Sequence, residues 1–599
     1  MEIATEPKKA MKGGEWIIRE TPYADIFIPE EFDEEQRMIA QTCRDFIQNE
    51  VWPRLDEIDS MKDPQLLPSL LDKAGELGLL GVSLGEQYGG FGKDFVTSLL
   101  VTEYTGSGHS FAVGLSAHTG IGTLPIALYG NDAQKDKYLP KLATGEWKAA
   151  YCLTEPGSGS DANSGKTKAV LSADGKTYLI NGQKMWITNS GFADVFIVFA
   201  KIDDDENLSA FIVEKGFGGI KLNEEEKKMG IKGSSTRQVF FEDCPVPVEN
   251  LLSERQNGFK IAVNILNIGR IKLAGAAVGG SKQCISHAVN YANERQQFGR
   301  PISKYGAIRY KISEQLIRTF ATESATYRAA RNIQDSINQY IADGMDPHKA
   351  ELKGVEQFAI ECAMLKVNGS ETLDYVVDEG VQIYGGMGYS AEAPMDRAYR
   401  DARINRIFEG TNEINRMLTV DMILKRALKG ELDLMGPAMS VVNEMMSIPE
   451  PFENDGTLFS QEKEYIRKFK KAILLVAGGA VQKLMQSLAK EQEILMDIAD
   501  MAIDTYVAES TLLRVEKLVS QRGEEACKEL IEVVRVLLND TADRIGIKGK
   551  NAINSFAEGD EQRMMLMGVK RFSKTEPFNV KDARRIIAQK AIDANGYPF

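Results

Sequence analysis

The 599-residue chain is 43% apolar and 26% charged, enough for several domains of the usual ~100–200 residues, each with a substantial core. Its formal net charge of −14 disfavours non-specific binding to nucleic acid, so no such partner is expected. Six cysteines (Cys43, Cys152, Cys244, Cys284, Cys362, Cys527) form no CxxC pair and only four histidines occur (His109, His118, His287, His348), so neither a disulfide framework nor a bound metal is expected.

Residues 1–33 are polar and read as an arm. They mix acids with bases and lack an apolar h-region, so neither a secretory signal nor a transit peptide is expected and the location reads as cytoplasmic. Residues 34–148 read as a helical domain: Met38, Ile39, Cys43, Phe46 and Ile47 fall at helical spacing, as does the stretch Phe95–Tyr129. Between them, Gly85-Glu86-Gln87-Tyr88-Gly89-Gly90-Phe91-Gly92 has no preceding strand and no P-loop lysine, and reads as a connector. At Ala149 short β-type runs begin (Ala149–Thr154, Tyr178–Ile180, Met185–Thr188, Val195–Ala200, Ser209–Val213, Gln238–Phe241), separated by turns such as Asp174-Gly175 and Asn181-Gly182. Residues 149–250 therefore read as a β-domain. Helical periodicity returns at Gly258, and 251–430 read as a helical bundle. Residues 431–460, with Gly436-Pro437, Pro449-Glu450-Pro451 and Asp455-Gly456, read as a linker. Residues 461–599 read as an additional helical domain whose amphipathic stretches, Ile473–Leu488 and Leu495–Leu513, suit internal packing, a partner subunit or a peripheral membrane contact. No run of about 18 uninterrupted apolar residues argues for a membrane span. The fold class is mainly α with a central β-domain.

The sharpest chemical signal lies in residues 396–416. A charged run ends in Ile407-Phe408, Glu409 follows, and Gly410-Thr411-Asn412 supplies small and capping residues that open a new helix. Desolvation beside Phe408 would raise the Glu409 pKa and Gly410 would admit a ligand closely, which makes this carboxylate a candidate base. An exposed Glu favoured by the helix dipole is the plainer alternative. Upstream, Gly157-Ser158-Gly159-Ser160-Asp161-Ala162 fits G-x-G-x-x-A after a strand, but Asn163-Ser164-Gly165 returns to β-type sequence where a dinucleotide fold needs a long helix, so a ligand-walling loop remains. In Lys184-Met185-Trp186-Ile187-Thr188-Asn189, Trp186 and Thr188 share one strand face. In Glu294-Arg295-Gln296-Gln297-Phe298-Gly299-Arg300, Arg295 offers a guanidinium fork suited to a pyrophosphate. Gln382-Ile383-Tyr384-Gly385-Gly386-Met387-Gly388-Tyr389 is a glycine-rich turn after a helix.

Taken in order, the segments 151–161, 184–194, 258–270, 294–300, 382–389 and 399–414 resemble acyl-CoA dehydrogenases, over roughly residues 35–430. The resemblance implies a helical domain, a β-barrel domain and a four-helix bundle binding FAD and acyl-CoA. It implies flavin contacts at Tyr151, Leu153, Thr154, Ser160, Trp186, Ile187 and Thr188, with Thr188 at the hydride-accepting N5 and Arg295 and Phe298 on the pyrophosphate side. Gln382, Gly385, Gly386, Thr411, Asn412 and Glu413 would meet the adenosine half of the flavin bound mainly to a neighbouring subunit, so a homodimer is expected. Glu409 would be the catalytic base, with Ser160, Asn267, Arg270, Phe408 and Gly410 at the substrate. The implied reaction is α,β-dehydrogenation to a trans-2-enoyl-CoA in fatty-acid β-oxidation, with electrons passing to an electron-transferring flavoprotein. Some relatives carry their base immediately before the residue matching Arg270; here that position is Gly269. The pattern Leu266-Asn267-Ile268-Gly269-Arg270, Tyr305-Gly306 in place of a common Gln, and the C-terminal extension resemble the very-long-chain branch, with Gly114 and Ala117 expected to leave the end of the acyl pocket wide. An acyl-CoA oxidase, or an assembly or scaffold protein derived from the family, is the alternative.

Overall fold

The computed structural model describes residues 10–447 and 452–599. Seven helices come first: α1 (Glu34–Phe46), α2 (Leu55–Ser60), α3 (Leu66–Glu76), α4 (Phe95–Thr105), α5 (Ser110–Ser116), α6 (Leu124–Tyr129) and α7 (Asp132–Thr144). Their starts are written in the sequence. Asp33 accepts from the Gln36 N–H while Gln36 reaches back to the Asp33 N–H, a reciprocal cap that Asn131 and Gln134 repeat on α7.

Eight strands follow: β1 (Ala149–Cys152), β2 (Lys168–Leu171), β3 (Thr177–Thr188), β4 (Val195–Ile202), β5 (Ser209–Glu214), β6 (Ile220–Leu222), β7 (Thr236–Pro247) and β8 (Leu251–Leu252). They form one mixed sheet in the order β6-β7-β3-β2-β4-β5-β8, with β1 parallel to β4. Phe196, Val198 and Phe211 pack into the interior of this unit, while Val195, Ile197 and Phe199 face the helices. Covered on both faces, β4 reads as a continuous apolar run instead of alternating.

The chain then returns to helices: α8 (Gly258–Glu294), a short hairpin of β9 (Gln296–Gln297) and β10 (Arg300–Pro301), α9 (Gly306–Ala342), α10 (Pro347–Gln357), α11 (Ala359–Tyr384), α12 (Gly386–Tyr389), α13 (Pro394–Ala402) and α14 (Asn412–Leu428). Helix α8 spans 37 residues and crosses α4 with almost no spacing. A Cβ on Gly279 would lie 1.9 Å from the Glu103 carbonyl oxygen, and one on Gly275 would lie 2.7 Å from the Leu99 side chain. The extension comprises α15 (Met435–Met446), α16 (Ser460–Leu484), α17 (Gln492–Arg522), α18 (Lys528–Phe556), α19 (Gly559–Phe572) and α20 (Val580–Ala594).

Several expectations change. The runs 178–180 and 185–188 belong to the single strand β3, and Asn181-Gly182 is a bulge in its pairing with β7, not a turn. The short strands β2 and β6 carry exposed residues and escaped detection. The expected linker contains helix α15; its Pro449-Glu450-Pro451 lies outside the described residues. The arm is packed: Trp16, Ile17, Ile26 and Ile28 are buried, and Trp16 lies 5.1 Å from Tyr506 of α17, ring to ring. Glu361 accepts from the Gly14 N–H at 2.7 Å, and Arg426 donates to the Gly13 carbonyl at 2.8 Å. In the extension, Ile473–Val476 and most of 495–513 are buried, so both amphipathic stretches are used in internal packing. The segments Ser110–Tyr129, Gly258–Glu294 and Ser460–Lys490 are long and apolar enough to cross a membrane by length and composition alone, and 67%, 72% and 39% of their apolar windows is buried inside the fold.

Trp16→Ala should therefore cost about 3–5 kcal/mol, as truncation of a buried aromatic does, and lower the midpoint of a cooperative urea melt; an unchanged midpoint would mean that the arm does not support the extension.

Candidate functional site

Glu409 follows a short helical turn, Arg403–Arg406, and adopts a left-handed backbone (φ 59°), as does Gly410 (φ 81°). For Gly410 this conformation is free, whereas a residue with a Cβ holds it only when its surroundings enforce it. Here three side chains do so. Arg270 donates to the Glu409 carbonyl at 3.3 Å, Lys366 to the Gly410 carbonyl at 2.7 Å, and Asn415 to the Gly410 carbonyl at 2.8 Å. The carboxylate itself is left unpaired: its Oε2 is buried with no hydrogen-bond partner. Burial pushes the carboxyl up to about 7, with the positive charges of Arg270 and Lys366 opposing. Gly269 makes the space, since a Cβ there would lie 2.8 Å from Oε2.

Glu409 stands where two cavities meet. One, about 380 Å³, is largely apolar and runs between α5, α8 and α13; the other is a broad cleft of about 1470 Å³ between the β-domain and the helices, and Thr188, Phe408 and Glu409 line both. Between α5 and α6 the chain widens into a π turn (Ala117–Gly122) that presents Ala117, Gly120 and Ile121 to the narrow pocket. Ala117 thus lines the pocket as expected. Gly114 does not: its missing Cβ faces Leu67 at 3.1 Å and Asn189 at 3.3 Å, so it serves close packing, and Gly120 is the open position.

The broad cleft is walled by Tyr151, Leu153, Thr154 and Ser160 on one side and Trp186, Ile187 and Thr188 on the other. A buried lysine clamps the two sides together. Lys184 donates to the Leu153 carbonyl at 3.1 Å and to Glu155 at 2.7 Å, and the Met185 N–H donates to the Thr154 carbonyl. Pairing of β3 with β7 slips between Lys184 and Ile187, and Trp186 takes φ 60°, which turns its indole outward, 54% exposed over the cleft. The Tyr151 hydroxyl is buried without a partner; burial, then the nearby Glu409 charge, pushes it well above its ordinary value. Asn267, Arg270, Gly410 and Thr411 also line this cleft, although Asn267 already accepts from Arg270 at 2.8 Å.

The remaining residues singled out from the sequence lie elsewhere. Asn412 is buried, its side chain bonded to Lys366, Ser370 and Glu371, so it braces the Gly410 turn and does not face the cleft. Glu413 is exposed. Arg295, Phe298, Gln382, Gly385 and Gly386 are exposed on the hairpin and at the α11–α12 junction, outside both cavities, with Phe298 94% accessible. Sequence reading missed Lys366 and the Lys184–Glu155 pair. For Lys366 a signal existed: it is a lone cation in the apolar run Ala363-Met364-Leu365-Lys366-Val367, where only a specific acceptor keeps a charge buried.

A buried carboxyl of raised pKa at the junction of a narrow apolar pocket and a wide cleft walled by an outward-held Trp suits an oxidoreductase that takes a flat aromatic cofactor and an acyl substrate. The residues fit FAD: the cleft has the volume, the indole presents a face for a ring, and the Tyr151 hydroxyl and Glu409 carboxylate await partners. Family models for the N-terminal, middle and C-terminal domains of acyl-CoA dehydrogenase match residues 33–146, 150–244 and 256–424, and a second C-terminal model matches 468–571. The probable acyl-CoA dehydrogenase of Bacillus subtilis is 45% identical over 99% of this chain and all of its own. The human very long-chain specific acyl-CoA dehydrogenase is 38% identical, over 74% of this chain and 69% of its own. The crystal structure of an acyl-CoA dehydrogenase complexed with FAD from Bacillus anthracis superposes with a TM-score of 0.95, at 45% identity over 98% of this chain and all of that one. The chain belongs to the acyl-CoA dehydrogenase family. It is an FAD-dependent acyl-CoA dehydrogenase, with similarity to the very-long-chain members.

The Glu409 titration has a stability signature. The carboxyl ionises near 4.5 when unfolded and near 7 when folded. Its cost is absent below 4.5, grows between the two values, and levels at about 3 kcal/mol above 7. Glu409→Gln should accordingly leave stability unchanged at pH 4 and raise it at pH 8, measured by urea melts at both; equal effects at the two pH values would contradict the buried, unpaired state of this group.

Proposed function

We propose that this protein dehydrogenates long-chain acyl-CoA thioesters in fatty-acid β-oxidation, with Glu409 as the base, and passes electrons to an electron-transferring flavoprotein. The observation that carries the reading is the unpaired Glu409 carboxylate, buried where the apolar pocket meets the cleft. In this mechanism the acyl chain enters the narrow pocket and the thioester lies at Glu409, whose backbone N–H donates to the thioester carbonyl and acidifies the α-carbon. Glu409 takes the α-proton. Its pKa near 7 suits the task, because a base that is too acidic removes carbon-bound protons poorly. FAD, when bound, supplies the acceptor for the β-hydrogen as hydride. Leu153, Thr154, Ser160, Trp186 and Thr188 hold it, and Arg270 and Lys366 keep the Glu409 turn in place. Displacement of water from the pocket by the acyl chain strengthens each of these interactions.

The long-chain reading is supported by α8, which lines the pocket from Ile265 to His287. At 1.5 Å per residue, Gln283 lies ~21 Å and His287 ~27 Å beyond Gly269. An extended anti chain advances ~1.3 Å per carbon, which gives room for roughly 16–20 carbons. The electron acceptor is taken from the family resemblance.

The exposed group Arg295, Phe298, Gln382, Gly385 and Gly386 supports a cofactor site completed by a second copy of the chain. Arg295→Glu should then reduce the FAD content of the purified protein about tenfold or more while the apoprotein keeps its circular dichroism; full retention of FAD would place the pyrophosphate elsewhere.

Anaerobic titration with palmitoyl-CoA should bleach the flavin absorbance stoichiometrically in the wild type and not in Glu409→Gln, although the variant still binds both FAD and substrate. In the wild type, kcat/KM should rise with pH through an apparent pKa near 7, the value set by burial of Glu409. Bleaching by the variant would move the base to another residue, and peroxide formed at the turnover rate without a protein acceptor would favour an oxidase.

A further inference from the structure

The far end of the narrow pocket is polar. His109, Gln283, His287 and Asp401 line it, from three separate elements: the α4–α5 junction, α8 and α13. His109 Nδ1 bonds Asp401 Oδ2 at 2.9 Å, and Gln283 Nε2 lies 2.8 Å from His287 Nε2. Both pairs line the same pocket, and burial, then the nearby His109, disfavours protonation of His287. Each imidazole therefore has one nitrogen tied and one without a protein partner among the described residues. His109 is also held in a strained backbone conformation, φ 52° and ψ −125°, which a residue with a Cβ adopts only when neighbours enforce it. Here Asp401 does so, and the imidazole is kept at the pocket wall.

A methyl-terminated chain of the length α8 admits would dry these free polar atoms against hydrocarbon, which weakens binding roughly ten- to a hundredfold per unpaired group. We propose that this end of the pocket is a subsite for acyl-CoA thioesters that carry a hydroxyl group on the ω-carbon. The proposal rests on the acyl-CoA dehydrogenase reading of the cleft and adds its substrate class. A hydroxyl both donates and accepts, so it satisfies a free imidazole nitrogen in either tautomer. A second carboxylate fits less well. Asp401 already brings a negative charge, both of its oxygens are engaged by His109 and the Ile231 N–H, and the neighbouring Arg397 is committed to Asp56 and Asp59.

The test is the kcat/KM of the FAD-loaded enzyme for hexadecanoyl-CoA, 16-hydroxyhexadecanoyl-CoA and the mono-CoA thioester of hexadecanedioic acid. The hydroxylated substrate should exceed the plain one about tenfold or more, and the dicarboxylic one should fall at least tenfold below the hydroxylated one. His287→Leu should lower kcat/KM for the hydroxylated substrate about tenfold, mainly through KM, and raise it severalfold for hexadecanoyl-CoA, whose methyl end then meets one unpaired group fewer; Gln283→Leu is the second variant should the first not fold. A hydroxylated substrate no better than the plain one in the wild type, preference for the dicarboxylic one, or equal losses on both substrates in the variants would overturn the subsite while leaving the dehydrogenase reading intact. Failure on every thioester, with the flavin unchanged, would overturn both.

Discussion

Lys282 joins the layers of the molecule. Its ammonium sits inside the fold between Glu103 of α4, at 2.6 Å, and Glu323 of α9. The second oxygen of Glu323 receives Arg514 of α17 at 2.8 Å, Arg514 reaches Glu30 of the N-terminal arm at 2.9 Å, and Tyr327 donates to Glu103 at 2.6 Å. Burial alone would depress the Lys282 pKa, yet the two carboxylates hold it well above its ordinary value. Such a chain is weak evidence for net stability, because desolvation offsets much of the attraction, but removal of one member leaves a buried charge unpaired at a cost of about 3–5 kcal/mol. The consequence is register. With Glu103 and Glu323 fixed on either side, α8 cannot slide along α4 or α9, and α8 carries both Gly269 beside Glu409 and the pocket-lining residues beyond it.

Non-glycine residues with positive φ are scattered over the described chain, and several of them stand around the site. Trp186, Glu409 and His109 all have positive φ, at 60°, 59° and 52°, each at a cost of about 1–3 kcal/mol. They mark the cleft wall, the buried carboxyl between the two cavities and the far end of the pocket. Between these points the framework is conventional, with capped helices and a sheet buried on both faces. The polar groups that hold the strained residues, Lys366, Asn415 and Arg270 around Glu409 and Lys184 beneath Trp186, are themselves buried and bonded. The site is thus preorganised by groups whose hydrogen bonds to the surrounding chain are already in place.

Periodicity made the three helical regions and most strands legible, because amphipathic spacing reports which face is covered. It failed where covering comes from far away in the chain. The arm reads as polar, yet Trp16 and Ile17 are buried by α17, a contact that no local pattern encodes. Met- and Pro-rich residues after Leu434 suggested a linker, but α15 lays Val441 against α16. At the site, Phe408 and Gly410 made Glu409 only a candidate beside the plainer exposed-Glu reading, and the family resemblance singled it out. The support of Glu409 was not legible, since Lys366 and Arg270 act on main-chain carbonyls, which have no residue identity. Gly114 misled for a related reason: a missing Cβ can make room for a ligand or for a neighbouring side chain, and only the fold distinguishes them.

The contact of Glu30 with Arg514 joins residues 484 positions apart, and it closes the charge chain that steadies α8. A nascent chain therefore completes its first helical unit only after most of the protein has left the ribosome. Until α17 arrives, the carboxylates of Glu323 and Glu30 lack the guanidinium they share and the apolar face under Trp16 stays wet. Contacts of such sequence separation are slow to form and leave partly folded chains open to aggregation. For this protein the demand falls on synthesis and chaperoning: a chain shortened after residue 431 would carry every residue that lines the two cavities and still lack the part that holds them in register.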